Sequence, residues 1–179
     1  MTGHSSMCRA IALVNILSLN WLVGSPTCIT DAPTGEQLFK LKPSRFSFIA
    51  EGDWFGYSVA NSRGTAIVGS PKDNDNGDDS GSAYLFDTTT GSRLFKLKPN
   101  DGDRLDQFGY SVAISGNTAI VGNSGDDDNG FAPGSEYLFD VTTGKQQFKL
   151  TPDDGEELDL FGYSVAISGD TAIVVVLVP

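Results

Sequence analysis

The feature that most constrains this chain is a sequence repeat with a period of 53 residues. The run Phe-Gly-Tyr-Ser-Val-Ala begins at Phe55, returns at Phe108 and returns again at Phe161. The same apolar segment follows ten residues after each Phe, at 65–68, 118–121 and 171–174. A fixed period of this length is typical of repeat architectures, in which each copy forms one structural unit.

Each repeat contains four short strand-like runs separated by turn residues. In the second copy these runs, called strands A to D, are Gly109–Ser115, Thr118–Gly122, Glu136–Phe139 and Gln147–Leu150. The pair Gly116-Asn117 between strands A and B is a two-residue hairpin signal. The pattern predicts an antiparallel meander of four strands.

Strand D alternates in a way that predicts its position in the sheet. In the first copy, Phe95 and Leu97 fall on one face, Lys96 and Lys98 fall on the other, and Pro99 ends the strand. Lysine and proline commonly protect exposed sheet edges, so strand D is predicted to be the outer edge. Four antiparallel strands repeated at this period predict an all-β fold, a partial β-propeller built from four-stranded blades.

The repeated segments resemble a known family. The runs Phe-Gly-Tyr-Ser-Val-Ala, Ile-Val-Gly and Gly-Ser-Ala-Tyr-Leu-Phe are similar to the FG-GAP repeat of integrin alpha chains and of secreted bacterial proteins, over residues 35–174. The resemblance implies a ring of seven blades that binds proteins or glycans and seldom catalyses a reaction. The chain departs from the family in two respects. The Gly-Ala-Pro segment appears as Gly69-Ser70-Pro71 and then as Gly122-Asn123-Ser124, so its proline survives once, and the Asp-x-Asp-x-Asp-Gly calcium loop between strands A and B is missing.

The repeats occupy residues 35–179, with units starting at Phe55, Phe108 and Phe161 and the last unit truncated. Residues 38–43 match only strand D of an earlier unit, which gives about two and a half blades. Propellers close with four to eight blades. Three explanations stay open: a remnant of a longer propeller, a ring completed by self-association, and an open stack of blades.

Residues 1–28 differ from the rest of the chain, since they carry no acidic residue and contain an apolar stretch after Arg9. This pattern resembles a secretory signal peptide, and the alternative is an unassigned N-terminal segment. The stretch is too short for a transmembrane helix, and none is expected. Export predicts an extracellular, periplasmic or cell-surface location. If Cys8 is removed with the segment, Cys28 becomes a lone thiol and no disulfide framework is expected.

The charge of the chain excludes several functions. The net charge of −11 makes nucleic acid an unlikely partner, because the protein repels phosphate. His4 is the single histidine of the sequence, which argues against histidine catalysis and histidine-rich metal sites.

In a meander, the B–C and D–A loops share one end of each blade. Most of the acidic residues lie in these loops, so we expect an acidic loop end.

Two of these loops are candidates for calcium. Asp73, Asp75, Asp126 and Asp128 stand at alternate positions before a glycine, and carboxylate oxygens at such spacing suit calcium. The alternative is that they are solvated turn residues. A further acidic residue precedes each Phe-Gly by two positions, at 53, 106 and 159, and is predicted to cap the entry into strand A.

The sequence therefore predicts a non-enzymatic, exported binding or adhesion module with a protein or glycan partner, assisted by calcium if the loops bind it. The alternatives are a fragment of a propeller enzyme, of the hydrolase, lyase or quinoprotein type, and a purely structural surface protein. Paired acids such as Asp153 and Asp154 suit acid–base chemistry. However, acids recur in every unit, as a scaffold feature does, whereas a single active site needs residues that break the repeat.

Overall fold

The computed structural model describes residues 27–34, 36–42, 52–128, 132–153 and 156–177, and every regular element in these ranges is a β-strand. The predicted all-β class is confirmed. None of the described segments forms a helix with the length and hydropathy needed to cross a bilayer.

The strands form four antiparallel sheets. The N-terminal hairpin pairs β1 (Thr27–Thr30) with β2 (Gln37–Leu41). Blade 1 contains β3 (Val59–Ser62), β4 (Thr65–Ser70), β5 (Ser82–Asp87) and β6 (Arg93–Leu97), in that order. Blade 2 contains β7 (Ser111–Ser115), β8 (Thr118–Asn123), β9 (Ser135–Asp140) and β10 (Gln146–Leu150), also in order. The C-terminal hairpin pairs β11 (Ser164–Ser168) with β12 (Thr171–Val175).

Two kinds of turn set the registers. In the A–B turn of blade 1, Arg63 and Gly64 both have positive φ, as a type I′ turn requires. In blade 2 Gly116 has positive φ at the first position, so the glycine that changes sides between the copies marks a change of turn type. The C–D turns are held by an aspartate: Oδ1 of Asp140 accepts hydrogen bonds from the backbone N–H groups of Thr142 and Thr143.

The Phe residues of the first two Phe-Gly pairs, Phe55 and Phe108, pack in hydrophobic cores shared by consecutive units. Phe108 is fully buried, and its ring meets those of Tyr137 and Phe139 edge to face, at centroid distances of 5.6 and 5.8 Å. The core that contains it joins blade 2 to Ile67 and Leu85 of blade 1. Burial of aromatic rings therefore holds the blades together.

The repeated glycines allow close contact between neighbouring blades. A Cβ atom added at Gly69 would lie 2.0 Å from the carbonyl oxygen of Gly109, and one added at Gly122 would lie equally close to that of Gly162. The hydroxyl of Ser58 in blade 1 donates to the same Gly109 oxygen at 2.8 Å. A side chain at position 69 or 122 would therefore push the next Phe-Gly segment away.

The structure adds a strand that the sequence analysis did not identify. β1 begins at Thr27, inside the segment 1–28, and it precedes residue 35, where the sequence analysis starts the repeats. Cys28 on this strand is disulfide-bonded, so the expectation of a lone thiol is wrong. The other cysteine, Cys8, and the rest of the signal-like segment lie outside the described residues. The N-terminal hairpin therefore supplies strands C and D of a unit, rather than D alone.

Candidate functional site

A ladder of aromatic rings runs across the units at the loop end. Tyr57, Tyr110 and Tyr163 each follow a Phe-Gly pair, and their ring centroids are 4.9 Å and 5.1 Å apart in succession. Trp54 extends the ladder, because its ring stacks on Tyr57 at 5.6 Å with an angle of 17° between the planes. We call these four residues the aromatic ladder. Tyr57 and Tyr163 keep 41% and 37% of their surface exposed, so the ladder is open to a ligand.

The surroundings of Tyr110, the central tyrosine of the ladder, affect its hydroxyl. Burial and hydrogen bonds with Tyr57 and Tyr163 raise the pKa of the Tyr110 hydroxyl above its ordinary value. The hydroxyl of Tyr110 is thus kept protonated, and the central part of the ladder is a set of linked hydroxyls above an apolar ring surface.

A shallow cavity of about 590 Å³ adjoins the ladder at Tyr110 and Tyr163. Its other walls include Arg104, Leu105 and Asp127, which offer a cation, an apolar surface and a carboxylate. Cavities of this size suit small ligands or one or two sugar rings.

The segments that carry the ladder have unusual backbone geometry. Leu105 and Gln107 have φ of 69° and 60°, in the left-handed region. Between them, Asp106 accepts a hydrogen bond from the backbone N–H of Asp103 at 2.8 Å. In the third unit, Asp159 accepts one from Glu156 at 2.7 Å. The predicted capping role is therefore confirmed at these two positions, where local hydrogen bonds hold a costly backbone conformation.

Burial changes the titration of these capping residues. It raises the pKa of Asp106 to about 6, and burial together with the charge of Asp73 raises that of Asp53 to about 6. Both residues recur at the repeat period, so their altered pKa values belong to the scaffold and do not single out one reactive acid.

The candidate calcium ligands of blade 1 lie around a lysine. The ammonium of Lys96 lies 2.8 Å from an oxygen of Asp73 and also forms an ion pair with Asp75. The hydroxyl of Tyr84 donates to the same Asp73 oxygen at 2.5 Å. Burial alone would raise the pKa of Asp73, but the hydrogen bonds from Lys96 and Tyr84 outweigh it and hold this pKa below its usual value.

Blade 2 repeats the arrangement with one more acid. The ammonium of Lys149 lies 2.9 Å from Asp126 and 2.6 Å from Asp128. It also lies 2.9 Å from Asp101, which comes from the loop that leaves blade 1. The hydroxyl of Tyr137 is 2.7 Å from Asp126. We call the two groups around Lys96 and Lys149 the lysine-centred clusters.

The structure thus brings Asp73 close to Asp75, and Asp126 close to Asp128, with an ammonium between the carboxylates of each pair. The described residues contain no group of three or more acidic, cysteine or histidine side chains arranged to hold a metal ion. Calcium binding at these four residues stays a prediction.

Sequence reasoning missed the lysines as members of the clusters. Strand D is the outer edge, as predicted, but Lys96 is not a solvated edge residue, because its side chain is only 19% exposed. The signal was available: Lys96 and Lys149, and likewise Tyr84 and Tyr137, are separated by the repeat period of 53. Strand parity then places Tyr84 opposite Lys96, on the same face of the sheet.

One buried acid breaks the repeat. Glu136 stands where blade 1 has Ala83; it is 1% exposed, and its Oε2 atom has no hydrogen-bond partner among the described residues. Burial raises the pKa of Glu136 to about 7. Tyr137 and Phe139, on the opposite face of β9, pack with residues of blade 1, so Glu136 faces away from blade 1.

Comparison with known proteins agrees with the repeats described above. The sequence profile of the FG-GAP repeat matches residues 49–86, 92–139 and 145–175. These three matches together cover more than half of the chain. No curated protein matches the sequence.

Proposed function

Since the chain belongs to the FG-GAP repeat family, we propose that it is a non-catalytic, exported binding or adhesion module whose loop end contacts a protein or glycan partner. FG-GAP repeats occur in extracellular and cell-surface proteins, which supports the proposed location. The observation that carries the proposal is the aromatic ladder, since four rings from three successive units meet at one exposed place.

The ladder and its cavity favour a glycan over a protein partner. Sugar rings present C–H groups on their faces and hydroxyls on their edges. Aromatic rings with exposed faces contact the former, and neighbouring carboxylates and guanidinium groups bind the latter. Tyr163 supplies such a ring, while Arg104 and Asp127 supply the polar groups beside it. Several loop carboxylates form ion pairs with Lys96 or Lys149, so attraction for a basic protein is weaker than the number of loop carboxylates suggests.

The test is a glycan array probed with the full chain, followed by titration of the best glycan into Tyr57→Ala and Tyr163→Ala. Loss of one stacking ring is worth about 0.5–1.5 kcal/mol, so each variant should bind roughly 3- to 10-fold more weakly. Leu94→Ala is the control, because Leu94 is 43% exposed on β6, away from the ladder. Absence of any glycan ligand, or wild-type affinity in both tyrosine variants, would contradict the proposal.

Calcium is proposed as a second ligand of the loop end, at Asp73 and Asp75 and at Asp126 and Asp128. Because each lysine ammonium occupies the space between its carboxylates, calcium must displace it. The variant Lys96→Met, which removes the charge and keeps much of the stem, should therefore gain more thermal stability from millimolar calcium than the wild type does. The measurement is the melting temperature after EDTA treatment, with and without calcium. No shift in either protein would rule out calcium at Asp73 and Asp75.

A further inference from the structure

The two ends of the stack carry complementary halves of a blade. The N-terminal hairpin has the register of strands C and D, because Ile29 pairs with Phe39 as Leu85 pairs with Phe95 in blade 1. The C-terminal hairpin has the register of strands A and B, because Val165 pairs with Val174 as Val112 pairs with Val121 in blade 2. These pairings are all antiparallel. One hairpin of each kind makes a four-stranded blade.

The N-terminal hairpin also shares the turn of the complete blades. Asp31 accepts hydrogen bonds from the backbone N–H and the hydroxyl of Thr34, as Asp87 does from Thr90. In both hairpins the register shifts at the same place, one pair before the turn. The resemblance to strands C and D therefore extends to the turn and the irregularity of pairing.

The C-terminal side of the stack exposes residues that are buried in the complete interface. Ile173 is 64% exposed, whereas Ile67 and Ile120 at the same repeat position are fully buried. Phe148 is 60% exposed, whereas Phe95 is half-buried. This face is built for a following unit.

The cover that Phe148 lacks can be identified from the preceding units. The glycine of the blade 1 turn, Gly91, lies directly over the ring of Phe39, and Gly144 of blade 2 lies over Phe95 in the same way. The turn that would cover Phe148 therefore belongs to a C–D hairpin with a glycine at that place. The N-terminal hairpin has Gly35 there in the sequence, after Asp31 and Thr34.

The N-terminal side of the stack is open in the complementary way. Val59 is 59% exposed, whereas its counterpart Val112 packs against blade 1 and is 8% exposed. A cavity of about 640 Å³ lies between the N-terminal hairpin and blade 1, with Ile29, Val59 and Asn61 among its walls. Strands A and B of a preceding unit would occupy this place.

We propose that a second copy of this chain fills both gaps: β12 of one copy pairs with β1 of the other, and the two hairpins complete a blade. By the register of the complete blades, Ile173 lies opposite Ile29 of the second copy, as Ile67 lies opposite Leu85. When the exchange occurs at both ends, two copies make a closed ring of six blades, within the usual range of four to eight. This pairing goes beyond the proposed ligand binding and does not depend on it.

One residue sets the strength of this association. Val175 takes the repeat position of Gly69 and Gly122, where an added Cβ would lie 2.0 Å from the glycine oxygen of the next Phe-Gly pair. In the ring, Val175 would face Gly56 of the second copy, and this segment must stand farther away. Replacing Val175 with glycine should therefore tighten the pairing.

The test is size-exclusion chromatography with light scattering on the full chain at micromolar concentrations. The expected mass is twice 19.0 kDa. Ile173→Asp should give the monomer mass, because it places a charge in the new interface, and Leu94→Asp is the matched control that stays dimeric. Both residues are exposed in the single chain, so neither change removes a buried contact. Phe148→Glu should also give the monomer mass, because it places a charge where the turn of the second copy would cover the ring of Phe148.

Measurement of the dissociation constant of the dimer completes the test. Val175→Gly should lower it by about tenfold or more relative to the wild type, since the steric conflict is removed. A wild-type protein that is monomeric, or that forms open chains of increasing mass, would overturn the closed dimer. A dimer that Ile173→Asp and Phe148→Glu both leave intact would overturn the proposed pairing.

Discussion

Lys96 and Lys149 stand at the same place in successive blades, and each neutralises carboxylates that are partly removed from water. Hydrogen bonds to Asp128, Asp101 and Asp126 outweigh the opposing effect of burial and raise the pKa of Lys149. An ion pair of this kind stabilises only if its partners are well satisfied, since desolvation costs several kcal/mol. Three carboxylates and a tyrosine hydroxyl around Lys149 meet that condition.

Glu136 is the opposite case, a buried acid without a partner. Its pKa in the folded protein is raised from 4.5 to about 7, so folding favours the protonated form. Below pH 4.5 Glu136 is protonated in both states and does not lower the free energy of unfolding. This free energy falls as the pH rises from 4.5 through 7. The ionised carboxylate at pH 8 costs about 3 kcal/mol, at about 1.4 kcal/mol for each pKa unit.

The variant Glu136→Gln should remove this pH dependence. The free energy of unfolding, measured by urea denaturation at pH 5 and at pH 8, should fall less between the two values in the variant than in the wild type. Glu157→Gln is the control, because Glu157 is exposed. Equal losses in wild type and Glu136→Gln would show that Glu136 is ionised in the folded protein at pH 5.

The conformation of the C–D turn is determined mainly by hydrogen bonds among its own residues. In blade 2, Asp140 accepts hydrogen bonds from the backbone and hydroxyl groups of Thr142 and Thr143. The hydroxyl of Thr142 and the backbone N–H of Thr143 hold the pKa of Asp140 below its ordinary value. The carboxylate thus acts as the cap of a tight turn.

Replacing Asp140 with alanine should lower the melting temperature at neutral pH, because two backbone donors lose their acceptor. Asp140→Asn keeps an oxygen acceptor and should restore most of the loss. Since the pKa is depressed in the folded state, the stability difference between wild type and Asp140→Ala should shrink as the pH falls below 3.8. An unchanged melting temperature in Asp140→Ala would show that the turn does not depend on this side chain.

Strand D has the predicted position at the edge of its sheet, but its lysine is more buried than an edge position suggests. The alternation of Phe95 with Lys96 and Lys98 correctly places β6 at the edge of its sheet. Exposure at an edge nevertheless depends on the loops around it. The loop that follows β4 brings Asp73 and Asp75 to Lys96, which buries its ammonium.

At the scale of the whole molecule, the residues that follow the repeat and the residues that interrupt it lie in different places. The three tyrosines of the aromatic ladder, and Lys96 and Lys149 of the lysine-centred clusters, follow the 53-residue period, so the repeats themselves build most of the loop end. Glu136 and Val175 interrupt the period. Glu136 faces away from blade 1, and Val175 takes the repeat position of Gly69, where an added Cβ would meet the next Phe-Gly segment. The interfaces between units are therefore the part of the molecule in which this chain differs from a uniform stack.

The pairing of acidic residues with lysines also affects the charge of the whole loop end. Many acidic residues of the B–C and D–A loops are paired with Lys72, Lys96 or Lys149. The exposed field of the loop end is consequently weaker than a count of carboxylates suggests.

The sequence by itself determined the all-β class, the four strands of each blade and the capping aspartates. These features depend on local turn chemistry and on the alternation of side chains, both of which repeat with the period. Only the tertiary structure brought Tyr57, Tyr110 and Tyr163 into one ladder and Lys149 among three carboxylates. The tyrosine contacts and the ion pair of Lys149 with Asp101 join residues of different units, and their distances follow from how the blades stack, which no single repeat encodes.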